Sequence, residues 1–157
     1  MKARKTWNEK LADAKDLPRV IKLTGAARKR WGGATMVIAA PVEVDALMKR
    51  VPKGRVTTIN DLRGALARAH STEAACPITT GIFAWIAAHA AEESAAAGAK
   101  RVTPWWRTLK GDGELNAKYP GGVAEQQRRL AAEGHRFIQR GAKVRVADFA
   151  AFLHPHA

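Results

Sequence analysis

This chain of 157 residues holds one cysteine, Cys76. A disulfide framework and a thiolate metal cage are therefore excluded within it. Acidic side chains are also scarce, at 14 against 27 lysines and arginines, for a formal net charge of +13. That excess points to a polyanionic partner, most often nucleic acid. A generally basic, soluble surface is the plainer alternative. Long apolar runs are missing: none spans a bilayer, and the Met1 end has no signal-peptide core. No membrane contact and a cytoplasmic location are expected. The five histidines (His70, His89, His135, His154 and His156) have no metal-ligand spacing. No metal and no cofactor are expected. The hydrophobic share, 46%, suffices for one domain with one core.

Met1 to Arg30 carries ten basic residues against Glu9, Asp13 and Asp16. We expect residues 1–34 to form a basic N-terminal arm that contacts phosphates. It would hold a short helix near Trp7 to Ala14, a break at Pro18, a brief extended piece and a mobile stretch from Lys22 to Arg30. The alternative is a solvated arm partly packed on the domain. Residues 35–157 would form that domain. Pro41 followed by Glu43 and Asp45 predicts a helix start, with Val44, Leu47 and Met48 on one face. Thr58 predicts an N-cap, with Asp61 three residues on, for a helix to about His70. A loop over 71–77 leads to a second helix from Thr79 or Thr80 to about Ser94. Two such helices joined by a short turn read as a helix-turn-helix. A further helix is expected over 123–133, ending at Gly134. Alternation in 135–139 and 143–146 around Arg140-Gly141-Ala142 predicts a β-hairpin. The fold class is mainly α with a small β-hairpin, a winged helix-turn-helix-like domain.

The tract that organises the chain is Thr103-Pro104-Trp105-Trp106-Arg107. Proline fixes its own φ and biases Thr103 to an extended form, so a rigid loop presents two indoles. Around it lie Val51-Pro52-Lys53-Gly54-Arg55-Val56-Thr57-Thr58, Gly113-Glu114-Leu115, Tyr119-Pro120-Gly121-Gly122 and Leu130-Ala131-Ala132-Glu133-Gly134-His135. In that order, from about Pro41 to His135, these pieces resemble the DNA-binding domain of the methylated-DNA–protein-cysteine methyltransferases, and more narrowly its alkyltransferase-like proteins. The family's Pro-Cys-His-Arg corresponds to Pro104, Trp105, Trp106 and Arg107. Tryptophan replaces the acceptor cysteine, and a second one stands at the activating histidine. Ala91 to Arg101 reads as an insertion between recognition helix and loop.

The resemblance implies a protein, expected to be a monomer, that binds double-stranded DNA. It would recognise alkylated guanine by flipping the nucleotide, and signal a downstream repair protein. The implied lesion pocket is Pro104, Trp105, Trp106, Tyr119, Gly121 and Gly122. The DNA-binding set is Lys53, Arg55, Thr79, Thr80 and Arg107, with Arg63 and the basic arm in support. Alkyl transfer needs a placed, activated thiolate. Trp105 offers none, and Glu133 has no histidine to order, so no catalysis is expected. The alternative acceptor, Cys76, would have to be exposed beside Tyr119. Two further departures concern flipping. Ile59 stands where the family has its rotating tyrosine. Pro77-Ile78-Thr79-Thr80-Gly81 lacks the arginine finger, which leaves Ile78 as an apolar wedge. A second reading is therefore a winged-helix DNA or protein adaptor that does not read lesions, with both tryptophans buried.

Overall fold

The computed structural model describes residues 4–31 and 33–156, so residues 1–3 and 32 of the expected arm lie outside it. Helix α1 (Trp7–Ala12) starts with a reciprocal cap between Thr6 and Glu9. Strand β1 (Arg19–Lys22) follows, then helix α2 (Gly25–Trp31) and strand β2 (Thr35–Ile38). The stretch expected to be mobile from Lys22 thus ends β1 and forms most of α2. β1 pairs antiparallel with β2, Arg19 opposite Ile38. Strand β4 (Ala74–Ala75) pairs parallel with the other edge of β2. The boundary expected at residue 34 therefore falls inside one sheet.

Helix α3 (Pro41–Lys49) carries proline in its first turn and buries Val44 and Met48. The short strand β3 (Thr57–Thr58) runs into helix α4 (Ile59–Ala69), where the Thr58 hydroxyl accepts the Asp61 amide at 3.1 Å. Leu62 and Leu66 face inward, one turn apart. Helix α5 (Pro77–Ala96) begins two or three residues before the expected start at Thr79 or Thr80, because proline suits the first helical position. Its Ala84, Ala87, Ala88 and Ala91 are buried. Small side chains there let α1 and α3 approach closely.

Strand β5 (Thr108–Leu109) pairs parallel with β3, and the tryptophan loop ahead of it packs against α3 and α5. Helix α6 (Gly122–Ala132) follows, with Gly134 just beyond it at φ +95. Strands β6 (Phe137–Arg140) and β7 (Lys143–Val146) form the expected hairpin. Val144 and Val146 point inward onto Val56, Leu109, Leu115 and Leu130, while Lys143 and Arg145 face solvent. The chain is mainly α-helical with small sheets, a winged helix-turn-helix-like domain.

The N-terminal helix is latched to α5. The amides of Trp7 and Asn8 donate to the Glu93 carboxylate at 3.0 and 3.1 Å, and the Asn8 side chain donates at 2.8 Å. The Trp7 ring stacks on His89 at 4.4 Å and meets Trp85 edge-on at 4.8 Å. The Asn8 side chain, then the Asn8 and Trp7 amides, hold the Glu93 carboxyl below the usual carboxylate range. A lowered acid contributes stability above its unfolded pKa and loses it as pH falls through the folded value. Acidification should therefore loosen α1. Glu93→Ala should do so at neutral pH, speeding proteolysis between residues 13 and 18. Unchanged cleavage would show that the ring contacts to Trp85 and His89, with the Asn8 bonds to Ala90 and Ser94, suffice to hold α1.

Candidate nucleic-acid interface

The tryptophan loop is fixed from both sides. The Thr103 hydroxyl donates to Asp45 at 2.6 Å, and Trp105–Arg107 form one 3₁₀ turn before β5. Trp105 has no exposed surface. Its ring N–H donates to Glu92 at 2.9 Å, and its ring meets Trp106 and Tyr119 near edge-on at 5.8 and 5.7 Å. The Arg129 guanidinium lies over both indoles and pairs with Glu92 at 2.9 Å. The Trp106 ring N–H donates to Glu133 at 2.8 Å. Arg107 donates to the same carboxylate at 2.8 Å and to the Val51 carbonyl at 2.7 Å.

The six residues expected as a lesion pocket do cluster, though mostly as core. Pro104, Trp105 and Tyr119 are buried, and only Trp106 keeps partial exposure among the aromatics. Burial alone pushes the Tyr119 phenol well above its usual pKa. An indole at the position matched to a thiol fills space between α5, α6 and the loop. As they stand, Trp105 and Tyr119 are packing groups and offer no surface to a base. Gly121 and Gly122 open α6 with φ of +77 and +71, and a Cβ on Gly121 would sit 2.5 Å from that of Glu125. Those two glycines are required by the turn itself.

The expected DNA contacts divide likewise. Lys53 and Arg55 are exposed in the turn after α3, with Arg55 reaching the Ala151 carbonyl at 3.3 Å. Thr80 corrects the expectation: it is 2% exposed and its hydroxyl donates to the Cys76 carbonyl at 2.6 Å. A residue on the inner face of the first turn cannot meet phosphate. Thr79 beside it is partly exposed. Arg107 is likewise a loop anchor, with its guanidinium held by Glu133 and Val51. The outward face at the start of α5 is apolar, with Ile78 at 58% and Ile82 at 45% exposure. Arg63 stands beside it, its Nε donating to the Ala75 carbonyl at 2.9 Å.

Cys76 is buried with Leu23, Met36 and Ala74, while Tyr119 belongs to the separate cluster around Trp105. The arrangement required for Cys76 as an acceptor is not met. Sequence reasoning missed Trp85 and His89, whose ring nitrogens lie 3.0 and 3.3 Å from the Lys118 carbonyl, just before Tyr119. It also missed Glu92 as the partner of Trp105. Their spacing at four and three residues along α5 was the available signal. Among the described residues no group of three or more His, Cys, Asp or Glu could hold a metal ion, and no helix is long and apolar enough to cross a membrane.

No protein-family model matches the sequence, and no curated protein matches it. Two solved structures are similar in fold. The crystal structure of S. pombe ATL in complex with DNA shares 18% identity at a TM-score of 0.52. That of S. pombe Atl1 in complex with damaged DNA containing O6-carboxymethylguanine shares 17% at 0.48. Each covers 73% of this chain and 93% of the other. At such identity the first of these likenesses establishes the fold class, a winged helix-turn-helix-like domain of the kind seen in S. pombe ATL.

Proposed function

We propose that this chain is a non-enzymatic protein that binds duplex DNA through the start of α5. The observation that carries this reading is the exposed pair Ile78 and Ile82, one turn apart at the N-terminus of the second helix of a helix-turn-helix, in a chain of net charge +13. Isoleucines on that face suit apolar contact with base edges or sugars in a groove. Charge then comes from elsewhere: Arg63 beside the helix, Lys53 and Arg55 in their turn, and the basic N-terminal segment. The S. pombe ATL structure with DNA, which has this fold, supports the same use of it. A single buried cysteine supports the absence of alkyl transfer.

The finer reading is recognition of alkylated guanine by nucleotide flipping, with repair signalled to another protein. It needs the aromatic shell to open, since Trp105 and Tyr119 are enclosed. That enclosure favours the second reading, DNA binding without lesion selection. A fluorescence titration at one fixed salt concentration separates them, with two duplexes that differ only by an O6-alkylguanine. Lesion-selective binding would establish flipping; equal binding would leave the second reading. Ile78→Glu should weaken binding to both duplexes about tenfold, or ~1.4 kcal/mol. Unchanged affinity would remove α5 from the interface. Lys22→Gln, Arg28→Gln and Lys29→Gln together should flatten the log–log salt dependence, by about 0.9 for each phosphate that is no longer neutralised. An unchanged slope would dismiss the basic segment as a contact.

A further inference from the structure

The inserted stretch, Ala91 to Arg101, starts within α5 and lies apart from the exposed Ile78 and Ile82 at the helix start. It prolongs α5 to Ala96, turns at Gly98 with φ +101, and sets Lys100 and Arg101 beside the end of α3. There an open cleft of about 590 Å³ is lined by Lys49, Lys100, Arg101 and Arg107 around Val102, Pro104 and Trp106. No carboxylate is among these residues. Two of the four cations are matched within the protein, Lys49 by Asp45 at 3.1 Å and Arg107 by Glu133. Lys100 and Arg101 are exposed and have no carboxylate partner among the described residues. A smaller recess of about 100 Å³ shares Lys49, Arg101 and Val102, holds the Asp45 carboxylate that pairs with Lys49, and runs in against Ala87, Ala90 and Ala91 of α5.

We propose that this cleft docks an acidic polypeptide segment of a partner protein. Its carboxylates would meet Lys100 and Arg101, and an apolar side chain would rest on the partly exposed Val102 and Trp106. Charge complementarity selects an anion. The concave apolar floor selects a peptide with side chains to bury, rather than a sugar-phosphate backbone. Position agrees. The recess that joins the cleft meets α5 at Ala87, Ala90 and Ala91, ~14–20 Å along the helix from the Ile78 end assigned to DNA. The choice of polypeptide over duplex rests on that assignment; the cleft does not. The insertion would then be the element that equips a DNA-binding domain to hold duplex at one end and a protein at the other.

The test uses the full chain and two fluorescein-labelled peptides of about twelve residues. One alternates glutamate with leucine and phenylalanine, and the other has glutamine at each glutamate. Anisotropy is read at physiological salt. The expected result is binding of the acidic peptide only, weakened at least tenfold by Lys100→Glu with Arg101→Glu. Arg136→Glu with Lys143→Glu, an equal charge change on the exposed hairpin, should weaken it less than threefold. Duplex affinity of the Lys100/Arg101 variant is measured separately and should stay within threefold of the parent. Equal losses in both double variants would reduce the effect to net charge and overturn the proposal. Tight binding of the glutamine peptide, or displacement of the acidic peptide by saturating duplex, would overturn it too. The second outcome would reassign the cleft to nucleic acid, and failure of duplex binding alone would count only against the DNA reading.

Discussion

Trp105→Ala should lower the melting temperature by about 10 °C, the largest effect of any single aromatic truncation among the described residues. The ring is wholly enclosed between Trp106 and Tyr119. Truncating such a side chain removes its transfer free energy and leaves a cavity, costing about 3–5 kcal/mol. In a chain of this size each kcal/mol moves the midpoint by about 2–4 °C. The hydrogen bond to Glu92 is removed as well, although Arg129 still satisfies that carboxylate. Trp105→Phe keeps most of the volume and should cost less. Differential scanning fluorimetry of the two variants checks this. An alanine variant melting within about 2 °C of the parent would mean that the indole is not a core group. The flipping pocket would then regain its case. The same arithmetic bears on how lesion reading is tested: loss of binding in Trp105→Ala reports folding as much as recognition, so Trp105→Phe is the cleaner probe.

The local elements were legible because their signals are local. Thr58 before Ile59, Gly134 after α6, and the alternation of Lys143 to Val146 each set a boundary or a face by short-range geometry. The helix-turn-helix followed from two such helices and a short loop. The three-stranded sheet was not legible. β4 is only Ala74 and Ala75, residues without strand preference, and it exists because β2 offers an edge from far along the chain. The docking of α1 was hidden for the same reason: its amides are met by Glu93, more than eighty residues away. Thr80 shows how a small error propagates. Placing the helix start at Thr79 or Thr80 left its hydroxyl free for phosphate. Starting it at Pro77 turns that hydroxyl inward to the Cys76 carbonyl. For the two tryptophans the pattern left wall and core both open. Composition cannot choose between them, because the choice depends on Glu92, Tyr119 and Arg129 arriving from three other segments.

Arg107→Met should destabilise the fold by about 3–5 kcal/mol, because it strands a buried carboxylate. The Arg107 and Glu133 side chains are 13% and 8% exposed. Burial pushes the Glu133 carboxyl up, but donors from Arg107, Trp106 and Gly54 outweigh it and hold its pKa below the usual value. In the parent, this acid contributes stability above its unfolded pKa and loses it as pH falls through the lowered folded value. Without the guanidinium, burial prevails and the folded pKa moves upward. The variant is then penalised most where Glu133 must stay ionised, and relieved where it can take a proton. The stability gap between parent and variant should accordingly be widest near pH 7 and narrower near pH 5, read from urea midpoints. Arg107→Met with Glu133→Leu removes both charges, and should recover at least ~1 kcal/mol relative to the sum of the single changes. A gap constant with pH, or additive single changes, would mean that Arg107 is not the partner that keeps Glu133 ionised. Its guanidinium would then be free to serve as the phosphate contact that the motif first suggested. The ion pair thus decides whether the last residue of the Pro-Trp-Trp-Arg tract belongs to the scaffold or to the DNA.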